Sequence, residues 1–237
     1  MTEATRDTAG ARREFMAATA ALLGAGWMMA LEARAAGLGT DEIVAGLKAA
    51  LEKGAGQAVA SLGRTDGFLG NPQVRIPLPD WMKPATKVLK LTGQGKRLEE
   101  LETTMNRAAE AAVPQAGPLL LEAVRGLSIE EAQTILKGGD TAATDHFAKR
   151  TREPLSTRFL PVVTEATQRL SLARQVNGVM SKAGKAGLVK SPRSVEQHVT
   201  DKALDGLYQM IGEEERKVRA DPGAAASDLL RRVFGRA

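Results

Sequence analysis

Apolar side chains recur along most of this chain at three- and four-residue intervals, the spacing that lines one face of an α-helix. Thr40-Asp41-Glu42 supplies a capping hydroxyl and early acids. Ile43, Leu47, Leu51, Ala58, Val59 and Leu62 then continue one face up to Gly63, which predicts a first long helix. The pattern fails next. In "GRTDGFLGNPQVRIPLPDW" Val74, Ile76 and Leu78 alternate, but Pro72, Pro77 and Pro79 interrupt any ladder. That stretch reads as an extended, ordered Gly/Pro-rich crossover over about residues 63–79, with at most one short edge strand.

Helical spacing resumes from about Asp80 to Leu91, stopped by Gly93, and again from about Lys96 to Val113 with Leu98, Leu101, Met105, Ala108 and Ala112 on one side. Pro114 marks a boundary and Leu119 to Leu127 continues as helix. Ser128-Ile129-Glu130-Glu131 is a capping box opening a short helix that stops at Gly138-Gly139, and Asp140 is the expected cap of the next. Leu155, Phe159, Val162, Val163, Ala166 and Leu170 trace a further helix extending toward Met180. After the loose "SKAGKAGLVKSPR", Ser194 begins a long helix with Val195, Val199, Leu204, Leu207, Tyr208 and Ile211 on its buried side. Asp221-Pro222 ends it, and Leu229, Leu230, Val233 and Phe234 place a terminal helix against the body. The expected architecture is all-α: a single compact orthogonal or mixed bundle of about eight to ten helices over residues 36–237.

Composition sharpens this picture. With 43% hydrophobic residues a packed core is expected, and with only 3% aromatics that core is aliphatic, which suits helices rather than strands. The absence of cysteine excludes disulfides, thiolate metal sites and cysteine nucleophiles. A net charge of +5 admits an anionic partner, but a chain this poor in stacking aromatics carries no nucleic-acid motif, so nucleic acid is not expected.

The amino terminus reads as an address. In "RREFMAATAALLGAGWMMALEARA", residues 12–35, the apolar run is too short and too rich in Gly and Ala for a permanent transmembrane anchor, which needs roughly 20 apolar residues. Arg12-Arg13, a weakly apolar middle and Ala33-Arg34-Ala35 instead match a twin-arginine-type signal peptide over residues 1–35, cut after Ala35. The other reading, an amphipathic first helix, fits poorly because the apolar residues lie all round such a helix. The expected location is the periplasm or beyond, reached through the export machinery.

Candidate chemistry is sparse. Gly93-Gln94-Gly95-Lys96 lacks the glycine spacing, the following Ser or Thr and the preceding strand of a phosphate loop, and reads as a helix–turn–helix joint. The turn-rich Asp66-Gly67-Phe68-Leu69-Gly70-Asn71-Pro72 is either a connector pinned by Phe68 and Leu69 or the rim of a ligand mouth offering Asp66, Asn71 and Arg75. Asn106, Arg107 and Glu110 share a helix. Arg107 and Glu110 form either an ordinary ion pair or a cleft in which Arg107 holds a carboxylate or phosphate. His146 and His198 are the only histidines and follow no zinc or hydrolase pattern, so no metal, cofactor or catalytic residue is assigned. Glu99, Glu102 and the run Glu213 to Glu215 read as solvated faces. Lys182, Lys185, Lys190 and Arg193 form a basic loop around Leu188 and Val189, either a soluble linker or an attachment point for an anionic leaflet.

Several longer stretches carry a resemblance: "SLGRTDGFLGNPQVRIPLP" at 61–79, "GQGK" at 93–96, "MNRAAEAAVPQAGPLL" at 105–120, "SIEEAQTILKGGDTAATDHF" at 128–147, "SKAG" at 181–184 and "TDKALDGLYQMIGEEERKVRADP" at 200–222. On these the chain resembles the bacterial domain of unknown function 4197 family. The resemblance implies an exported, helix-rich protein and supplies no catalytic residues. The leading expectation is a non-enzymatic envelope protein that binds a lipid, an apolar small molecule or a protein partner. Its rivals are an enzyme centred between the 66–75 loop and the 106–110 helix turn, and a structural envelope component.

Overall fold

Helix α1, Thr40–Leu62, opens the part of the protein that the computed structural model describes, residues 40–185 and 193–220. The expected twin-arginine segment with Arg12 and Arg13, the expected cleavage point after Ala35, Lys190, and the terminal helix expected from Leu229 to Phe234 lie outside the described residues. α1 buries Leu47, Leu51, Ala58 and Leu62 of the predicted stripe, together with Val44, while Ile43 and Val59 are half-buried. The chain then crosses residues 63–79 without helix, makes one 3-10 turn at Asp80–Met82 and enters α2, Lys83–Leu91. No strand occurs among the described residues.

Gly93 stops α2 in the way expected of it. Its φ of 76° lies in the left-handed region, its N–H donates to Lys90 O, and the next N–H, of Gln94, reaches back to Leu89 O. α3, Gly95–Ala112, follows, and Pro114 sits in a 3-10 turn, Val113–Gln115, that leads without a gap into α4, Ala116–Arg125. The capping box before α5, Ile129–Lys137, is present: Ser128 Oγ accepts Glu131 N–H at 3.2 Å and Glu131 Oε2 accepts Ser128 N–H at 2.9 Å.

Two expectations change at α6, which runs unbroken from Ala142 to Gln168. Asp140 is not its cap. The N-cap is Thr141, which makes no side-chain cap bond, and the free N–H groups of Ala143 and Thr144 are taken by Glu215 from across the fold. Nor is the stretch from Leu155 to Leu170 a separate helix, because Pro154 and Pro161 lie inside α6 without ending it. Both prolines are exposed, so water satisfies the carbonyls they leave free. A turn at Arg169 and Leu170 separates α6 from α7, Ser171–Lys185.

α8, Val195–Ala220, is the axis of the fold, packed against α6, α1 and α3. Ser194 caps it, accepting Gln197 N–H, while Gln197 Oε1 accepts Ser194 N–H. The larger core joins Leu62, Phe68, Ile76, Leu101, Met105, Leu155, Phe159, Val199, Leu204 and Leu207. A second gathers the start of α1 with Val124, Ile135 and Phe147. No described helix is long and apolar enough to cross a membrane.

Candidate functional site

Three glutamates are buried among the described residues, Glu110, Glu196 and Glu215, and each holds another part of the chain. A buried carboxylate is costly unless its oxygens are taken by donors. Glu110, on the inner face of α3, is placed where the 63–79 crossover passes. Its Oε1 accepts the backbone N–H of Phe68 at 3.0 Å and of Leu69 at 3.1 Å, and its Oε2 accepts Arg107 Nη1 at 2.7 Å. Arg107 Nη2 donates to Asp66 Oδ1 at 2.8 Å. Hydrogen bonds donated to Glu110, then to Asp66, hold the Arg107 guanidinium above its ordinary pKa. Asp66 itself sits at φ 64°, a left-handed conformation that Asp tolerates.

One helical turn earlier, Asn106 does the work of a neighbouring strand. Its Oδ1 accepts Ile76 N–H at 2.8 Å and its Nδ2 donates to Ile76 O at 2.9 Å, so the extended backbone is paired without a sheet. Nδ2 also donates to Glu102 O at 2.8 Å. Arg75 pairs with Glu102 at 3.0 Å. Asn71 Oδ1 accepts Gln73 N–H in a turn of its own, and its Nδ2 lies 4.0 Å from Met210 Sδ. Between these polar ties Phe68 is fully buried and presses on α8 at Gly206, where a Cβ would come within 2.8 Å of its Cε1 and 3.1 Å of Val74 Cβ.

The seven binding candidates come from two adjoining segments, Asp66, Phe68, Asn71 and Arg75 from the crossover and Asn106, Arg107 and Glu110 from α3. Asp66, Arg107, Glu110 and the Phe68 N–H pair with one another, whereas Arg75 goes to Glu102, Asn106 to the Ile76 backbone and Asn71 to Gln73. Glu102, read as part of a solvated face, makes a surface pair with Arg75, and the four-residue spacing of positions 102, 106 and 110 stacks them on one helical face. Glu215, read in the same way, is corrected. It is 8% exposed, caps α6 through Ala143, Thr144 N–H and Thr144 Oγ1, and is bridged by Arg219, whose Nη2 also donates to Ile135 O. Its neighbours do pair along their own helix, Glu213 with Arg216 and Glu214 with Lys217.

Glu196 takes Asn177 Nδ2 on both oxygens, at 3.0 and 2.7 Å, and Thr167 Oγ1 at 3.1 Å, tying α7 and α6 to the start of α8. His146 lies edge-on to Phe147 with Nε2 3.6 Å from Glu131, while His198 Nε2 lies 3.2 Å from Pro77 O. Burial pushes the His198 pKa below its usual value, against the pull of that carbonyl. Of the basic loop, Arg193 pairs with Asp201 at 3.1 Å, and the side chains of Lys182 and Lys185 lie outside the described residues together with Lys190. A cleft of about 20 Å³ between α1 and the end of α8, lined by Leu47, Leu51, Ile211, Val218 and Arg219, has room for about one water.

No curated protein and no solved structure matches the chain. One family does, over residues 37–235, which covers all the described helices and begins just after the expected cleavage point. On that match the chain belongs to the family described as protein of unknown function, DUF4197.

Proposed function

We propose that this is a non-catalytic interaction protein of the bacterial cell envelope, exported by its twin-arginine leader, and that it acts through its outer surface on a lipid or protein partner. The observation that carries this reading is the closure of the Asp66–Arg107–Glu110 cluster on itself. Glu110 takes two backbone N–H groups and a guanidinium, and Arg107 spends both terminal nitrogens on Glu110 and Asp66. This charged cluster is thus occupied in clamping the crossover. What the clamp creates is a rigid outer surface of Arg64, Gln73, Arg75 and Pro77, already ordered before a partner arrives and so cheap in entropy to bind.

Native mass spectrometry of protein released from the envelope tests this. The expected species is a chain beginning at Ala36 without a stoichiometric small molecule, and a photo-crosslinker at Gln73 gives a discrete adduct in cells. A retained small organic ligand, or an intact leader on functional cytosolic protein, overturns the reading.

One observation favours a second reading, an enzyme in which Arg107 grips an anionic substrate: its side chain is 38% exposed between two carboxylates. Loss of cellular function in Arg107→Met with an unchanged unfolding midpoint would support that alternative.

A further inference from the structure

The joint between α2 and α3 carries surface chemistry that the fold does not use. Residues 83–97 hold five cations, Lys83, Lys87, Lys90, Lys96 and Arg97, and no acid, which equals the net charge of the whole chain. Lys83 pairs with Asp80 at 2.8 Å, and Arg97 turns inward to Gln94 and Ser171. Lys87, Lys90 and Lys96 are exposed, and among the described residues they make no ion pair. The nearest acids in sequence, Glu99 and Glu100, are exposed on the first turns of α3.

Beside these lysines Leu91 is 88% exposed, against 43% for Ile129 and 37% for Leu160, the other exposed large apolar residues of the described chain. At 100° per residue, Lys83, Lys87, Lys90 and Leu91 fall within about 100° of arc on α2, while half-buried Leu89 lies on the opposite side and half-buried Thr86 on the flank next to Lys90. The left-handed Gly93 fixes the turn, so Leu91 is held outward at the tip of a helix hairpin. A single exposed leucine is ordinary. One presented at a helix end beside exposed lysines that make no ion pair among the described residues is the pattern that suits a peripheral lipid contact, where cations meet headgroup phosphates and a short apolar side chain enters the acyl boundary.

We propose that this tip docks the protein on an anionic phospholipid surface, with Leu91 entering the bilayer interface and Lys87, Lys90 and Lys96 facing the phosphates. The inference rests on the surface-acting reading above and names its partner. It also moves the membrane contact away from the 182–193 loop, whose one fully described cation, Arg193, is paired.

The test is co-sedimentation of the full chain with vesicles of equal parts phosphatidylglycerol and phosphatidylcholine, against phosphatidylcholine alone. Wild type should bind the anionic vesicles and release as salt rises. Each lysine removed should cost about five-fold in partitioning, so the Lys87→Glu, Lys90→Glu, Lys96→Glu triple variant should lose at least about a hundred-fold. Leu91→Ser should lose roughly ten-fold. A control reversing exposed Lys53 and Lys149 should stay within a few-fold of wild type. Because the chain has no cysteine, Leu91→Cys can carry a single environment-sensitive dye, whose emission should shift to the blue only with anionic vesicles.

Wild type that ignores the vesicles, or a triple variant that binds as wild type does, overturns the proposal. So does binding that needs the lysines but leaves the dye in water and is fully competed by DNA, which would make the tip a polyanion site. Any of these leaves the Gln73 adduct to decide the surface-acting reading, so the two fail separately.

Discussion

Replacing Glu110 by alanine should be among the most damaging single changes to this fold. It removes the acceptor of the Phe68 and Leu69 N–H groups and the partner of Arg107 in one step. The Phe68 N–H is buried, so it is left without water or protein, a loss of about 1–3 kcal/mol for each such donor. Leu69 N–H is partly buried and recovers some hydration. Together these give about 2–4 kcal/mol, a fall in Tm of roughly 10 °C for a domain of this size. Glu110→Gln keeps an oxygen for both N–H groups but turns its NH2, a donor, toward Arg107 Nη1, so the charge and that bond are lost and about 1–2 kcal/mol is expected. Arg107→Met breaks a pair whose arginine is 38% exposed, so it should cost less than Glu110→Gln. Urea unfolding followed by circular dichroism measures all three, and hydrogen exchange at Phe68 and Leu69 locates the effect. If Glu110→Ala lies within 1 kcal/mol of wild type, or costs less than Arg107→Met, the clamp does not hold the crossover.

Other changes probe the remaining joints. Gly206→Ala gains about 1 kcal/mol of helix propensity, but its Cβ would lie 2.8 Å from Phe68 Cε1, so a net loss of about 1–2 kcal/mol is expected; a raised Tm would refute the close packing, and Phe68→Leu should rescue part of the loss. Glu215→Ala strips the first turn of α6 of its cap and exposes Arg219 to an empty site, with an expected cost of about 3 kcal/mol read by thermal unfolding, whereas Asp140→Ala should change little. The lowered His198 pKa sets a sign for pH. The unfolded chain binds the proton more readily, so this contribution is complete above pH about 6.5 and is lost as pH falls from there through the folded pKa. The effect is small because solvent screens a half-buried ring, and it should vanish from urea titrations of His198→Asn between pH 7.5 and 5.5; an unchanged slope would show that the histidine does not contribute.

The helices were legible because each depends on neighbours within a few residues. The stripe from Ile43 to Leu62, the Ser128 capping box and the Gly93 stop are local signals, and α1, α5 and the α2–α3 turn appear where those signals put them. The crossover was legible as extended but not as strandless, since nothing local reveals that Asn106, 30 residues on, pairs both backbone groups of Ile76. That Asp66, Arg107 and Glu110 saturate one another was not visible, because an Asp and a Glu near an Arg spell a pocket and a clamp equally well.

By itself, then, the order of residues determined the helical class, most helix ends, the aliphatic core and the family. Tertiary structure alone decided what the buried charges do. Besides the nearby Arg107 and Arg219, Glu110, Glu196 and Glu215 each take donors 19 to 72 positions away, and in sequence each looks like any acid on an amphipathic helix. Their burial depends on which element crosses above them, and that choice is made by the packing of the whole core rather than by any local run of residues.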